Sequence, residues 1–362
     1  MSGNGGLLLR DFKPKSMLRR PEHMPERAKF PVVDAHNHLF GDPSAEELLA
    51  VMDQVGVRTF VNVTGNATIP YENNCYTIVR RDMSVYTERY TRAHVGRFAG
   101  MTMSDFAQWG DPVLIKEHNF ADLAIQHLEE DVEKGACGLK LTKELGLFFK
   151  DASGAHIPVD DERLSPIFER AGEMGLPVLI HVSDPVAFFL PIDANNEHYP
   201  TLQEFPGWSF HGSHFSKWEL LGQRDRLVAR HPKTTFILPH VANNPEDLDY
   251  VANLLDTYPN VNIDLSARID ELGRQPYTAR DFFIRYQDRI LFGVDMALIS
   301  PDIYRSYFRF LETNDEYFEY PDYIGRWGYC RWRIYGLYLP DEVLRKVYYE
   351  NACRIIPGVD VS

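Results

Sequence analysis

Cysteine is scarce in this sequence. Its four cysteines (Cys75, Cys137, Cys330 and Cys353) form no CxxC pair and have no regular spacing. A disulfide framework needs a denser set of cysteines, and a zinc ribbon needs closely paired ones. We therefore expect reduced thiols with structural roles.

Long apolar runs are also lacking. No stretch approaches the roughly 20 apolar residues that a transmembrane helix needs. Near the N-terminus, residues 7–9 are leucines, but this run is too short for the core of a signal peptide, and no small-residue cleavage site follows it. We expect no membrane segment, no secretory leader and a cytoplasmic location.

Positive charge is in deficit. Lysine and arginine number 38 against 52 aspartates and glutamates, which gives a formal net charge of −14. A nucleic-acid-binding protein normally presents a basic face, so we expect no nucleic-acid partner. Hydrophobic residues make up 44% and aromatic residues 13% of the chain, which excludes wholesale disorder.

Two common enzyme motifs are missing. No GxGxxG follows the first predicted strand, which weakens a dinucleotide-binding fold. No GxSxG nucleophile elbow is present, which disfavours a serine hydrolase of the α/β-hydrolase type.

The sequence does contain a repeated alternation of short apolar runs and longer amphipathic stretches. The predicted strands are Val32–Ala35, Arg58–Val63, Arg97–Met103, Cys137–Leu141, Pro177–Val182, Thr235–Pro239, Val261–Leu265 and Ile290–Val294. The predicted intervening helices include Ser44–Val55, Ala121–Lys134, Asp161–Met174 and Asn244–Tyr258. Near-continuous apolar runs such as PVLIHV are typical of parallel strands that are buried on both faces. Eight strands that alternate with helices predict an α/β fold, a (β/α)8 TIM barrel, in preference to an open sheet.

Three segments stand apart from this alternation. Residues 1–30 are rich in Lys, Arg and Pro and are predicted to form an N-terminal arm, followed by one barrel domain over residues 31–362. Residues 183–216 form a long insertion after strand 5, where a barrel builds specificity. Residues 304–362 are rich in aromatics and are predicted to pack as helices outside the barrel, either as a cap or as a contact in a homo-oligomer.

Polar side chains stand at the ends of four predicted strands. Strand 1 ends in a HxH pair, His36 and His38, whose side chains point to the same side of a strand. Strands 5, 6 and 8 end in His181, His240 and Asp295. Any one of these residues alone could be an ordinary buried polar group. A cation shared by all five explains them together, because imidazoles and carboxylates are ligands of zinc and similar metals and unpaired buried polar groups are costly. Barrel active sites lie at these strand ends.

Lys140, in predicted strand 4, has three open interpretations. As a carbamylated lysine it would bridge two metal ions, and as a free cation it would bind an anionic substrate. It could also be a lysine that extends its charged end to solvent. We expect one divalent ion, Zn2+ first with Mn2+ or Fe2+ as alternatives, or two ions if Lys140 is carbamylated.

Other residues are candidates for substrate binding. Arg268 follows strand 7 and could clamp a carboxylate through two hydrogen bonds, or pair with a structural acid. Trp208 and His211, in the insertion, could shape the pocket or stack on a ring, although loop aromatics are as often packing elements.

Together, the elements DAHNH, IHV, LPH and FGVD, with the closing NACRII, resemble the metal-dependent amidohydrolase superfamily. The resemblance covers about residues 31–356 and is strongest to the branch with aminocarboxymuconate-semialdehyde decarboxylase and related lactonases. It implies that His36, His38, His181 and Asp295 hold a divalent metal. It assigns His240 to a second metal position or to polarising substrate or water. The insertion at residues 183–216 and the N-terminal arm have no counterpart in the family pattern, so the resemblance does not identify the substrate.

The expected function is hydrolysis of a small-molecule ester, lactone or amide by a metal-activated water. Asp295 would take the proton from that water, and His240 would stabilise the developing oxyanion. A non-oxidative decarboxylase on the same scaffold is the alternative enzyme. An inactive barrel that serves as a binding protein is the alternative from another class. Lys140 and Arg268 favour an anionic or carbonyl-bearing substrate.

Overall fold

Eight parallel strands form the centre of the computed structural model, which describes residues 6–8, 11–12, 14–72, 75–327 and 332–361. The strands are β1 (Val32–Asn37), β2 (Val57–Asn62), β3 (Phe98–Gly100), β4 (Leu139–Leu141), β5 (Val178–Ile180), β6 (Phe236–Leu238), β7 (Val261–Asp264) and β8 (Ile290–Leu291). Each overlaps a strand predicted from the sequence, and the ends differ by at most three residues.

The strands pair in chain order around a barrel. β1, β2 and β3 form one sheet, and β4 to β8 form a second. Backbone hydrogen bonds join the two sheets at both edges, from Ala35 N to Phe292 O (2.9 Å) and from Lys140 N to Thr102 O (2.7 Å). The strands thus surround one axis without forming a single uninterrupted closed sheet. The predicted α/β barrel fold is confirmed.

Helices follow every strand on the outside. They are α1 (Ala45–Val55), α2 (Met83–Tyr86, continued by a π-helical turn Thr87–Arg92), α3 (Phe120–Glu133), α4 (Ser165–Glu173), α5 (Lys217–Arg230), α6 (Leu248–Thr257), α7 (Pro276–Arg285) and α8 (Pro301–Glu312). A C-terminal helical run comprises Asp341–Arg345, Lys346–Glu350 and Asn351–Ile355. Short helical turns lie at Ser104–Phe106, Glu144–Leu147, Glu162–Leu164, Val186–Phe189, Tyr199–Glu204, Pro206–Trp208, Pro239–Ala242 and Ile269–Leu272. Two-strand ladders pair Ala67–Thr68 with Val79–Arg80, Tyr71–Glu72 with Cys75–Tyr76, and Val113–Ile115 with Lys150–Asp151.

Local sequence sets the helix ends. Ser44 caps α1, since its Oγ accepts from Glu47 N (3.2 Å) and its own N donates to the Glu47 carboxylate (2.8 Å). Gly56 ends this helix with a φ of 89°, as glycine readily does. α6 begins four residues later than predicted, because Asp247, whose carboxylate accepts from Tyr250 N, is its cap.

The barrel interior is apolar away from the catalytic strand ends. Its inner cluster includes Val33, Val61 and Leu179 together with Ile355, the last residue of the C-terminal run, and Ile356, which follows it. A larger cluster lies between the strands and the outer helices. Such a core keeps the strands in fixed register, which in turn fixes the side chains at their ends.

The C-terminal part differs from a set of packed helices. α8 and the C-terminal run are helical, but the described residues between 313 and 340 contain no helix. There Leu337 N and Leu339 N donate to the carbonyls of Phe310 and Leu311 in α8 (2.7 and 2.9 Å). This segment is therefore pinned along α8 in an irregular form.

The N-terminal arm has no helix or strand over residues 14–30 apart from bends. Polar contacts attach it near the end of α8, from His23 N to Asp315 Oδ2 (2.7 Å) and from Lys29 Nζ to Asp341 Oδ1 (2.6 Å). The division of the chain into an arm and one domain stays a prediction.

Two of the four cysteines have side chains that the structure describes. Cys137 is buried and Cys353 partly buried, both as free thiols, whereas Cys330 and the side chain of Cys75 lie outside the described residues. None of the described helices combines the length and the apolar character that crossing a membrane requires.

Gly336 tests the attachment of the C-terminal segment. A Cβ at this position would lie 2.0 Å from Thr313 O, whereas a Cβ at Gly207 would meet no atom within 4 Å. We expect Gly336→Ala to lower the free energy of unfolding by about 1–3 kcal/mol, because backbone must shift. Gly207→Ala is the control, and chemical denaturation of both variants measures the difference. Equal stabilities would contradict the packing described here.

Candidate metal centre

His36 lies at the end of β1 and is fully buried. Its Nδ1 is 2.8 Å from Asp264 Oδ2, and its Nε2 is 3.2 Å from Lys140 Nζ. Because an ionised carboxylate only accepts hydrogen bonds, Nδ1 donates and Nε2 carries the lone pair. The imidazole is thus oriented by β7 and presents Nε2 to the cavity.

Asp295 follows β8 and faces three imidazoles. Its Oδ1 is 3.5 Å from His38 Nε2, and its Oδ2 is 3.4 Å from His240 Nε2 and 3.8 Å from His36 Nε2. Burial opposes ionisation of this carboxyl, but the neighbouring His36, His38 and Lys140 lower its pKa to about 2. Asp295 is therefore an ionised carboxylate at neutral pH.

These side chains meet the requirements of a cation site. One ligand atom each from His36, His38 and Asp295 lies within 4.8 Å of the others. A second group, His36, His240 and Asp264, meets the same criterion. The Nε2 of His240 is buried and has no hydrogen-bond partner among the described residues. A buried nitrogen without a partner, beside a carboxylate and further imidazoles, suits a divalent metal.

Burial keeps His38, His181 and His240 uncharged. It lowers the pKa of His38 to about 3 and that of His181 to about 4. It also lowers the pKa of His240 well below the ordinary value. Neutral imidazoles have a free lone pair, which is the form that binds metal ions.

His181 is close to this group but is directed elsewhere. Its Nε2 is 3.0 Å from Ser183 O and 3.5 Å from Asp184 Oδ1. Its ring centroid is 4.5 Å from that of His240. The structure therefore brings four of the five predicted ligands around one point and places His181 beside them, turned toward Asp184.

Lys140 is buried against the centre. Its side chain in β4 is 1% exposed, and burial lowers its pKa to about 8, although Asp295 and Asp264 oppose this shift. A lysine with such a pKa has a larger uncharged fraction at neutral pH than a solvated one. This property suits both a carbamylated ligand and a substrate-facing amine, so the number of ions stays a prediction.

The backbone is strained where the site residues leave their strands. Asp295 has a φ of 45°, and residues 240–243 have φ values of 53° to 57°, all without glycine. Each such residue costs on the order of 1–3 kcal/mol unless its surroundings enforce the conformation. The left-handed turn at residues 240–243 places the His240 ring, with Nδ1 2.8 Å from Ser266 O.

Two buried cations from α5 support this turn. Lys217 Nζ donates to Asn243 O (2.5 Å) and to Asp184 O (2.8 Å). Arg224 Nη1 donates to Ala242 O. Lys217 is 2% exposed and Arg224 0% exposed, so both are structural parts of the site and not surface charges.

Sequence reasoning missed several carboxylates of the site. Asp264 ends β7 and orients His36, and Asp184 follows His181 and accepts from Lys143 Nζ (2.5 Å). Asp34, beside His36, accepts from Tyr304 Oη (2.7 Å), and burial raises its pKa to about 6. The signal for Asp264 was available, since it is an acid at the carboxyl end of an apolar strand. Asp184 lies in an irregular insertion that has no such signal.

A cavity of about 230 Å3 opens above the centre. Lys140, Arg268 and Trp208 line it, whereas His211 is exposed, with Nδ1 3.3 Å from Phe189 O, and is not among the lining residues. Arg268 donates to Asp184 Oδ1 (3.2 Å) and to its neighbour's carbonyl. Both terminal nitrogens that Arg268 would use to bind a substrate carboxylate are thus already hydrogen-bonded to protein groups. Among the nitrogens of this side chain, Nε has no partner within the described residues.

The irregular C-terminal segment contributes a wall that the sequence did not predict. Tyr320, Tyr323 and Trp332 line the cavity, and Tyr323 packs on Trp208 of the insertion with ring centroids 4.4 Å apart. The aromatic residues near the chain's end therefore close the mouth of the site.

The sequence matches a known protein family. The family model described as amidohydrolase matches residues 33–357. The chain belongs to the amidohydrolase family. Family membership confirms the resemblance seen in the sequence and supports an enzyme. Amidohydrolases of this family are metal-dependent, and the chain's His36, His38 and Asp295 form a group that could hold an ion.

Solved structures share the fold at low sequence identity. A candidate amidohydrolase from Staphylococcus aureus is 15% identical with a TM-score of 0.52, covering 90% of this chain and 99% of that chain. The 2,6-dihydroxybenzoate decarboxylase from Rhizobium is 16% identical with a TM-score of 0.50, covering 90% and 98%. The 4-oxalomesaconate hydratase from Rhodopseudomonas palustris is 17% identical with a TM-score of 0.46, covering 87% and 81%. None of the curated proteins matches this sequence.

Asp264 provides a test of the oriented histidine. We expect Asp264→Asn to weaken metal affinity by about 10- to 100-fold, since a carboxylate that orients a metal-binding histidine raises its basicity. Competition with a chromogenic chelator measures the affinity. Asp131→Asn is the matched control, because Asp131 is also buried but contacts Thr102 and Asn66 instead of the imidazoles. Equal effects of the two substitutions would argue against an orienting role.

Proposed function

We propose that this amidohydrolase is a metal-dependent hydrolase of a small-molecule ester, lactone or amide. The observation that carries this proposal is the ionised Asp295 carboxylate, which faces the imidazoles of His36, His38 and His240 at the base of a cavity. A hydrolase needs a base next to the attacking water and a space for the substrate above it. Both are present within one group of side chains.

The metal would be held by His36, His38 and Asp295, with His240 and His181 adjacent. When bound, a divalent ion lowers the pKa of a coordinated water from 15.7 to around 7 and polarises a carbonyl oxygen. Zn2+ is the first candidate, and Mn2+ or Fe2+ accept the same donors. A second ion would require carbamylation of Lys140.

Proton movement is assigned to Asp295. It contacts several imidazoles through different oxygens, so one oxygen can accept the water proton while the carboxylate keeps its other contacts. The same oxygen then returns the proton to the leaving group.

His240 suits a different role from the oxyanion donor expected from the sequence. Its Nδ1 lies 2.8 Å from Ser266 O, and a carbonyl only accepts, so Nδ1 carries the proton. The Nε2 that faces the cavity therefore has a lone pair, and burial holds the pKa of this histidine well below the ordinary value. We assign His240 to metal or water binding, and the amine of Lys140 to contact with a substrate oxygen.

Decarboxylation is the second candidate. Lys140, Lys143 and Arg268 line the cavity; Lys143 and Arg268 are paired with Asp184, and Lys140 would contact the carboxylate of a substrate that this positive field attracts. The Rhizobium decarboxylase is an example of this reaction on the same fold.

For the hydrolase and for the decarboxylase alike, the proposed substrate is a small anionic or carbonyl-bearing molecule. We also propose a cytoplasmic location without a nucleic-acid or membrane partner. An inactive binding protein is disfavoured because a full set of ligand-type side chains is present.

Metal content is the first measurement. We expect close to one equivalent of zinc, manganese or iron per chain by elemental analysis, because neutral imidazoles and a carboxylate are held ready to bind. His36→Ala should lose the metal while circular dichroism shows a retained fold. His211→Ala, whose side chain is exposed outside the cavity, should keep it. A metal-free native protein that gains no metal on incubation with these ions would refute the proposal.

Product analysis separates the two reactions. We expect proton release from a panel of lactones, esters and amides, and we expect Asp295→Asn to lower turnover at least about 100-fold, as for loss of a general base. Parallel assays follow carbon dioxide release from carboxylated aromatics. Carbon dioxide release without hydrolysis would replace the hydrolase with the decarboxylase, and full metal loading without either product would favour a binding protein.

A further inference from the structure

The lining of the cavity includes a second group of buried polar side chains, next to the metal centre. It consists of His198 from the insertion, Arg268 and Glu271 after β7, and Trp332 from the C-terminal segment. We call these four residues the upper polar group. They come from three distant parts of the chain, and all of them line the cavity.

Glu271 has a buried carboxylate oxygen that the protein does not satisfy. Its side chain is 1% exposed, and no amide, amine or hydroxyl group among the described residues donates to either oxygen. The neighbouring Asp270 also lines the cavity, and burial together with its hydrogen bond to Glu271 raises the pKa of its carboxyl well above the ordinary value, so Asp270 can keep its proton and donate it. One proton serves one oxygen, and a donor on a ligand would therefore offset the penalty of burying the second oxygen of Glu271.

The other members have buried nitrogen atoms without partners. Arg268 Nε, Trp332 Nε1 and His198 Nε2 form no hydrogen bond within the described part of the chain. His198 Nε2 lies 3.4 Å from Glu271 Oε1, outside hydrogen-bond geometry. The rings of Phe188 and Trp332 contact His198 from the insertion and the C-terminal segment, each with centroids 5.3 Å apart.

The combination of acceptor and donors limits the ligand chemistry. Glu271 needs a donor, whereas Arg268 Nε and Trp332 Nε1 need acceptors. A carboxylate only accepts and an ammonium only donates, so neither satisfies both sides. A hydroxyl group donates one hydrogen bond and accepts others, and it therefore matches the whole group.

We propose that His198, Arg268, Glu271 and Trp332 form a subsite that binds a hydroxyl group of the substrate, at a part of the molecule other than the reacting bond. This inference rests on the proposed function, since it assigns the reacting end to the His36–Asp295 side of the cavity. The surrounding Phe188, Trp208 and Tyr323 rings suit a planar, ring-containing substrate. The proposed substrate class is thus a hydroxylated cyclic ester, amide or carboxylate.

Calorimetric titration with matched ligands tests the subsite. The probes are benzoate, its three monohydroxy isomers and the corresponding aminobenzoates, added to the metal-loaded protein. We expect at least one hydroxybenzoate to bind about tenfold more tightly than benzoate, in keeping with one charge-assisted hydrogen bond to a buried group. Equal affinities, an absence of binding by every probe, or a preference for aminobenzoates would overturn the proposal.

Variants of Glu271 connect the preference to this residue. Glu271→Gln should reduce the hydroxyl preference several-fold, and Glu271→Met, which has no acceptor oxygen, should abolish it without weakening benzoate binding. Glu312→Gln is the matched control, because Glu312 is partly buried outside the cavity and accepts from Lys29 N and Tyr348 Oη. A hydroxyl preference that survives both Glu271 variants would overturn the assignment.

Metal analysis of the same samples separates this inference from the proposed function. We expect the Glu271 variants to retain the wild-type metal content. A protein that holds metal and turns over substrate but ignores the hydroxyl would refute only the subsite. A protein that prefers the hydroxyl but neither holds metal nor turns over substrate would refute only the hydrolase.

Discussion

The hydrogen bond between His36 and Asp264 lies inside the barrel and joins the ends of β1 and β7. Neither partner can exchange this contact for water, because their side chains are at most 1% exposed. Losing one partner would leave a buried polar group unsatisfied, which costs more than an ordinary surface hydrogen bond contributes. The position of the imidazole is therefore set by the barrel register, and Asp295, which follows the neighbouring β8, faces a nitrogen whose direction is already fixed.

Much of the fold could be predicted because the strands are buried on both faces. Apolar runs such as residues 177–182 leave few alternatives to a parallel strand, and the end of each run marks the catalytic face. His36, His38, His240 and Asp295 could be placed together on this basis alone. The direction of His181 could not, since strand position decides the face of a residue but not its rotamer, and here Asp184 lies within 3.5 Å of the ring nitrogen.

Other parts of the site depend on contacts that local sequence does not encode. Lys217 and Arg224 lie seven residues apart on α5, where charged residues usually face solvent, yet both are buried under the left-handed turn after β6. The aromatic residues near the end of the chain suggested packed helices. The segment is instead irregular because its backbone bonds to α8, and Gly336 lies where a side chain would collide with Thr313.

Closing the barrel joins the two ends of the chain. Ala35 in the first strand bonds to Phe292 beside the eighth, so the surroundings of the histidines after β1 are completed by residues more than 250 positions away. Tyr323 and Trp332, which are more distant still, line the mouth of the cavity. The site is therefore built from contacts of high sequence separation, whose loop-closure entropy slows folding, and the metal centre and its aromatic wall form only with the complete barrel.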